Sequence, residues 1–311
     1  MTIADRWVGE VWSPPPRQAL RLPFRHPFPI GWGEGPGEGT VVDQLHCITG
    51  CGTAHCRPGM NLHGPDVPAG LVEAIRDAQH AVVLTGAGIS AESGVPTFRD
   101  AQTGLWTKFK PEDLATAEAF RRNPKLVWEW YAWRRQLVAH VEPNAGHRAL
   151  VELERRLPQF TLITQNVDGL HQRAGSGDVI ELHGNIARTK CFEEDVPVDR
   201  WEATGEAPPR CPRCGGWLRP DVVWFNEMLP SDAIDRALEA SRACDVFLSI
   251  GTSALVHPAA SLPLEASEGG AKVAEVNPDD TPLTAHVHFR LRGSAGVMLP
   301  ALLTALGPAA S

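Results

Sequence analysis

The sequence predicts an α/β fold: a parallel sheet with helices on both faces, plus a small inserted zinc-binding module. Three observations carry this. Short apolar runs alternate with longer segments of helical period from about residue 70 onward, the pattern of strands joined by crossover helices. Each apolar run ends in small or polar residues, where sheets of this class collect ligands. Between Cys191 and Pro220 the periodicity stops and Cys, Pro and Gly take its place.

Residues 1–69 stand apart. "SPPPRQALRLPFRHPFPIGWGEGPGEGT" is dense in Pro and Gly and lacks any sustained period, so it buries too little apolar surface to offset its ordering entropy. A disordered or loosely attached extension is expected. Cys47, Cys51 and Cys56 in "CITGCGTAHC" fit no zinc or iron–sulfur spacing and are read as incidental. The chain holds 5 Lys against 24 Arg, which suggests GC-rich coding. On that reading Met60 is a candidate start, and peptides from residues 1–59 in native mass spectra would rule it out.

From residue 70 the elements follow in order. "GLVEAIRDAQ" (70–79) places Leu71 and Ile75 four apart on one helix face. "AVVLTGAGIS" reads as a buried strand and a glycine turn. Residues 123–140 read as a helix, with Asn123 as N-cap and Pro124 at its first position. "HRALVELERRL" (147–157) and "SDAIDRALEASRA" (231–243) have helical period. "FTLITQNVD" (160–168), "DVFLSIGTS" (245–253) and "AKVAEVNPD" (271–279) are the remaining strand candidates. The inserted module spans about residues 188–220.

Composition narrows the class. A net charge of −8 argues against nucleic-acid binding by bulk electrostatics. No apolar run reaches the roughly 18–20 residues of a membrane span, and no secretory signal is visible. Seven cysteines, an odd number in a chain of this size, point to reduced thiols and a metal site, hence a cytoplasmic protein. Cys244 in "RACDVFLSI" reads as a small core residue.

Gly86 and Gly88 in "TGAGISAESGVPTFRD" (85–100) suit a phosphate approached closely by backbone, though glycine turns also follow strands for structural reasons. The whole string resembles the sirtuin family of NAD-dependent protein-lysine deacylases. So do "TQNVDGLHQRAG" (164–175), "ELHG" (181–184), "LRPDVVWFNE" (218–227) and "IGTSALVHPAA" (250–260), in the family's order over about residues 70–305. The resemblance implies a Rossmann-like sheet and a deacylase domain over residues 70–307. It implies that Gly86, Ala87 and Gly88 cradle the NAD pyrophosphate and that Phe98 and Arg99 lie on a mobile loop over it. Gln165 and Asn166 would meet the nicotinamide ribose, and Asp168 the carboxamide; Asp168 could alternatively be a turn residue. Gly251, Thr252 and Ser253 would flank phosphate and ribose, Asn277 the adenosine ribose, and Ala295 the adenine. The catalytic set would be His183, Asn166 and Asp168. His183 would serve as general base, a role suited to an imidazole titrating near neutrality. The implied products are free lysine, nicotinamide and O-acyl-ADP-ribose, and the implied partners are acyl-lysine proteins or peptides.

"CPRCGG" offers Cys211 and Cys214, a Cys-x-x-Cys fit for a zinc knuckle. Sirtuins pair it with an upstream Cys-x-x-Cys. Here that position reads "CFEE", giving Cys191 and then Glu194. Zinc would be held by three thiolates and a carboxylate or water, or else weakly or not at all. "VVWFNE" matches the segment that pairs substrate backbone as an added strand, giving Val223 and Phe225. Asn226 replaces the usual glycine and is the residue best able to keep a left-handed turn.

The acyl pocket is the sharpest expectation. "WEWYAWRRQ" (128–136) holds the only tyrosine, Tyr131, with Arg134 three residues on. The pair resembles the Tyr-x-x-Arg of class III sirtuins, which reads acidic acyl groups, and Ala115 matches a small residue that widens that pocket. A guanidinium and a phenol can satisfy a succinyl or malonyl carboxylate that is otherwise costly to bury. The alternative is that Tyr131 packs with Trp128 and Trp130 while Arg134 faces solvent. A plain deacetylase, an ADP-ribosyltransferase and a non-catalytic NAD sensor are the competing functions.

Overall fold

The computed structural model describes residues 65–95, 113–202 and 204–308, all within one compact unit, Gly59–Ser311. Most of the N-terminal extension, with Cys47, Cys51 and Cys56, lies outside the described residues, as do Phe98 and Arg99.

The chain enters through helix α1 (Ala69–Asp77), which buries Leu71, Val72 and Ile75. Strand β1 (His80–Thr85) is buried at every position, as a strand covered on both faces must be. After the short helices α2 (Gly88–Ala91) and α3 (Ala117–Arg122) comes the long helix α4 (Pro124–His140). The Asn123 side chain accepts from Leu126 N at 3.1 Å and Pro124 opens the helix. Both devices were legible in the sequence. Helix α5 (Ala145–Arg156) leads to β2 (Gln159–Thr164), and α6 (Leu170–Ala174) to β3 (Val179–Glu181).

Strands β4 (Gly184–Cys191) and β5 (Leu218–Val222) form a separate antiparallel pair that brackets the inserted module. Helix α7 (Ser231–Ala243), β6 (Val246–Ile250), α8 (Leu262–Glu268), β7 (Lys272–Asn277), β8 (Phe289–Arg292) and α9 (Ala295–Leu306) complete the chain. The main sheet has the order β3-β2-β1-β6-β7-β8, and all its pairings are parallel. The chain works outward from β1 to β3, crosses over, and works outward again from β6 to β8. The order therefore reverses between β1 and β6, which opens a crevice at their carboxyl ends.

Strand alternation divides the core. Val83, Leu248 and Ala274 face α1, α5 and α9. Val82, Leu84, Phe247 and Val273 face α7 and α8. A third cluster joins α3 and α4 to β4 and the segment after β5, and contains Ala115, Phe120, Trp130, Tyr131 and Trp224. Cys191, Cys211, Val198 and Leu218 form a fourth, small core in the inserted module. Cys244 is buried, donates to Ser241 O at 3.2 Å, and has its thiol pushed up to about 12 by burial, as a core residue should.

Candidate active site

The carboxyl ends of β1 and β6 meet through glycines. A Cβ on Gly86 would lie 2.7 Å from Gly251 O, and one on Gly88 would lie 2.7 Å from Gly251 Cα. The Gly86 amide donates to Ile250 O at 3.0 Å and the Gly88 amide to Gly251 O at 2.9 Å. The sequence reading gave these glycines a close backbone approach to a phosphate. Their amides instead tie the two switch-point loops together, and the glycines are required by that close backbone contact. Ala87 sits between them. Thr252 is buried, with its hydroxyl 3.0 Å from Ser249 Oγ, and Ser253 follows it. Asn277, at the end of β7, donates to Thr252 O at 2.8 Å. Ala295, the first residue of α9, is buried.

The β2 loop brings polar groups inward. Asn166 is buried and donates through Nδ2 to Gly86 O at 3.0 Å and Ser90 Oγ at 3.2 Å. Asp168 is buried; Oδ1 accepts from Leu170 N at 2.9 Å and Oδ2 from Ser90 Oγ–H at 2.7 Å. It is therefore a turn residue as well as a member of the cluster. Burial raises its pKa, opposed by these hydrogen bonds and by the charges of Arg134 and Arg173. Behind Ser90, the buried rings of His147 and His171 lie 4.9 Å apart. His147 Nδ1 accepts from Asn144 N at 3.3 Å, so its Nε2 carries the hydrogen that faces Ser90 Oγ at 3.5 Å. His171 Nε2 stands 2.9 Å from Thr85 Oγ1, while its Nδ1 has no partner among the described residues. Burial pulls these imidazoles down to about 4 and about 3. Sequence reasoning missed Ser90, His147 and His171 as site residues. Ser90 lies within "GAGIS" and His171 within "TQNVDGLHQRAG", while His147 read only as a helix position.

His183 is half-buried, and its Nδ1 lies 2.8 Å from Gln165 O. A carbonyl only accepts, so Nδ1 carries the hydrogen and Nε2 is the free base. Burial lowers the imidazole pKa and the Gln165 carbonyl partly restores it. Gly184 follows with φ +77, and a Cβ there would meet Asp221 O at 2.3 Å.

Below this lies the apolar cluster of α4. Tyr131 is buried edge-on to Trp130 with ring centroids 4.6 Å apart. Arg134 is half-buried, with its guanidinium carbon 5.0 Å from the Trp130 ring centre. It makes no ion pair among the described residues. Burial lowers its pKa, and its charge acts on both Tyr131 and Asp168. Trp128 turns away, toward Trp201 and Arg135, so only half of the expected tryptophan packing forms. Ala115 accepts from Phe225 N at 2.9 Å, and His183 O accepts from Val223 N at 2.9 Å. Asn226 has φ +68, the left-handed turn expected of it.

In the inserted module, Cys191, Glu194, Cys211 and Cys214 bring their ligand atoms within 4.8 Å of one another. Cys191 Sγ and Cys214 Sγ are 3.4 Å apart, and the amides of Glu194 and Gly216 each point at a thiol at 3.4 Å. Three thiols and a carboxylate at this spacing fit a tetrahedral zinc ion. Glu194 also pairs with Arg213 at 3.2 Å.

A doubly wound fold with a polar cluster at its switch point and a cysteine knuckle beside it matches a known family. The family model described as Sir2 family matches residues 86–258. An NAD-dependent protein deacylase of Aquifex aeolicus is 60% identical over 221 residues, 70% of this chain and 91% of that protein. NAD-dependent protein deacylase 1 of Caldanaerobacter subterraneus is 53% identical over 71% of this chain and 92% of its own. The solved structure of a Sir2 homologue–NAD complex is 46% identical and matches with TM-score 0.72, covering 78% of this chain and 95% of that one. A Sir2–p53 peptide–NAD+ structure is 29% identical with TM-score 0.67, covering 76% of this chain and 97% of that one. The chain belongs to the Sir2 family.

Proposed function

We propose that the chain is an NAD-dependent protein-lysine deacylase that removes succinyl and malonyl groups as well as acetyl groups. Two kinds of support bear on this. The relatives are named NAD-dependent protein deacylases, and solved neighbours hold NAD or a peptide with NAD. The acyl reading is carried by one observation: Arg134 is a half-buried guanidinium beside Tyr131 with no carboxylate paired to it among the described residues. The Asp168 charge acts on it without closing an ion pair; a half-buried charge compensated only in this way is costly, and an acidic acyl group would offset it.

NAD, when bound, supplies an anomeric carbon from which nicotinamide departs. The chain's own residues do the rest. Asn166 and Asp168 would meet the ribose and the carboxamide. His183, with its proton held on Nδ1, accepts a ribose hydroxyl proton at Nε2. Gly251, Thr252, Ser253, Asn277 and Ala295 would lie toward the adenosine end, with Gly86, Ala87 and Gly88 between. The Val223–Phe225 segment, tied to His183 O and Ala115 O, would pair with the backbone of an acyl-lysine peptide. Zinc on Cys191, Cys211, Cys214 and Glu194 would hold the inserted module together and take no part in the chemistry. Among the described residues the four cysteines form no disulfide, which suits a reducing compartment such as the cytoplasm. No described helix is long and apolar enough to cross a membrane.

The test is NAD-dependent release of succinate and of acetate from one lysine peptide. Each hydrogen bond to a charged group is worth roughly 1.5–3 kcal/mol. Arg134→Met should therefore lower desuccinylation by about ten- to a hundredfold relative to deacetylation. Equal losses on both substrates would overturn the acyl reading.

A further inference from the structure

Trp224 is buried and its indole N–H donates to the Tyr131 phenol oxygen at 3.0 Å. The indole is itself held from two directions. Arg219, 3% exposed, lies over the ring with its guanidinium carbon 3.3 Å from the ring centroid. Arg219 in turn grips both oxygens of Glu227, at 2.5 and 2.9 Å, and donates to Val222 O at 2.8 Å. Glu227 Oε2 also accepts from the Trp224 backbone N–H at 2.8 Å. One ion pair thus fixes both the backbone and the ring plane of Trp224, and Phe120 packs against the same ring with centroids 5.3 Å apart.

An indole N–H donates and cannot accept. The phenol oxygen facing it must be an acceptor there, so the hydroxyl hydrogen of Tyr131 points elsewhere. No acceptor among the described residues takes it. A phenol held this way offers O–H, beside the Arg134 guanidinium, to whatever fills the acyl pocket. Both are groups that a carboxylate needs and a methyl group does not.

We propose that Trp224 is a positioning residue for acyl-group selection, acting through Tyr131 by holding its hydroxyl as a donor toward an acidic acyl group. This rests on the acyl reading given above. Trp224→Phe keeps an aromatic ring against Arg219 and removes the N–H together with the second ring of the indole. It should lower the succinyl-to-acetyl ratio of kcat/KM roughly tenfold, chiefly through KM for the succinyl peptide. In a Tyr131→Phe background it should lower the ratio no further, because the group it positions is gone.

Tyr131 is the only tyrosine in 311 residues, so labelling tyrosine with 13C at Cζ yields a single resonance. That resonance should move in Trp224→Phe, and should respond to the succinyl peptide more than to the acetyl peptide. Should Trp224→Phe fail to fold, the indole 1H–15N resonance that shifts in Tyr131→Phe can be followed in the unaltered protein. It should move with the succinyl peptide and stay put with the acetyl one. An unchanged ratio in Trp224→Phe, a full extra loss on top of Tyr131→Phe, or an indole signal blind to the succinyl peptide would overturn the role of Trp224. If Arg134→Met and Tyr131→Phe leave the ratio unchanged, the acyl reading itself fails and takes this inference with it.

Discussion

His183 Nδ1 stands 2.8 Å from the main-chain oxygen of Gln165, and that bond decides which ring nitrogen is left to take a proton. Because the carbonyl can only accept, Nε2 is the nitrogen left with a lone pair, the one the proposed base would use. Burial lowers the His183 pKa from its ordinary value of 6.5, with the Gln165 carbonyl as the weaker opposing cause. The neutral, basic form is therefore reached at a lower pH than for a free imidazole. The acid limb of kcat/KM for an acetyl-lysine peptide should have its midpoint below 6.5. His183→Ala should lower kcat/KM by about 10²–10⁴-fold. An acid limb centred clearly above 6.5 would mean that His183 is not the titrating base.

The buried His147 and His171 pair should make the fold sensitive to acid. Both are depressed by burial, to about 4 and about 3. The unfolded chain binds protons at these sites from pH 6.5 downward, and the folded chain does not until far lower. Stability from the pair is thus fully present above pH 6.5 and is lost as pH falls toward 4. Each site adds up to about 1.4 kcal/mol per pH unit to the slope in that window. Urea unfolding followed from pH 7 to 4.5 checks this. His171→Asn should flatten the slope, and an unchanged slope would exclude His171 as its source.

Gly184 follows the proposed base with φ +77, and a Cβ there would lie 2.3 Å from Asp221 O. The left-handed backbone alone costs a side chain about 1–2 kcal/mol, and the contact is with main chain that cannot swing away. Gly184→Ala should destabilise the protein by more than about 2 kcal/mol in urea titration. It should also lower activity, since His183 O anchors Val223 N at 2.9 Å. A variant of ordinary stability would show that β4 and β5 shift apart more freely than their pairing implies.

Zinc should be present at one ion per chain. Elemental analysis of the purified protein measures this directly. Cys211→Ser should lose the metal and loosen the small core of Cys191, Val198 and Leu218. Glu194→Ala should weaken retention under a chelator without abolishing it, because three thiolates remain. A well-folded, active, zinc-free protein would refute the site.

Much of this was legible in the sequence where the determining forces are local. The start of α4 at Pro124 follows from Asn123 and Pro124, and α7 occupies Ser231–Ala243 as its period implied. Asn226 keeps its left-handed turn because no other non-glycine residue accepts that backbone so readily. The edge strands Val179–Glu181 and Phe289–Arg292 went unread, since three or four residues carry no measurable period. Helix α9 went unread because "AGVMLPALLTAL" is apolar on nearly every side.

The sequence by itself determined the chemical vocabulary: the glycine turn, the histidine at 183, the cysteine knuckle, the tyrosine with its arginine. Each is a short string whose residues act within a few positions of one another. Tertiary structure alone decided how that vocabulary is used. The amides of Gly86 and Gly88 are drawn to the β6 loop, Ser90 is turned onto Asp168, and Tyr131 receives its hydrogen bond from Trp224, 93 residues away. Hydrogen-bond direction and burial depend on which groups the sheet order brings together. No local pattern encodes that, because strands far apart in sequence become neighbours only when the sheet forms.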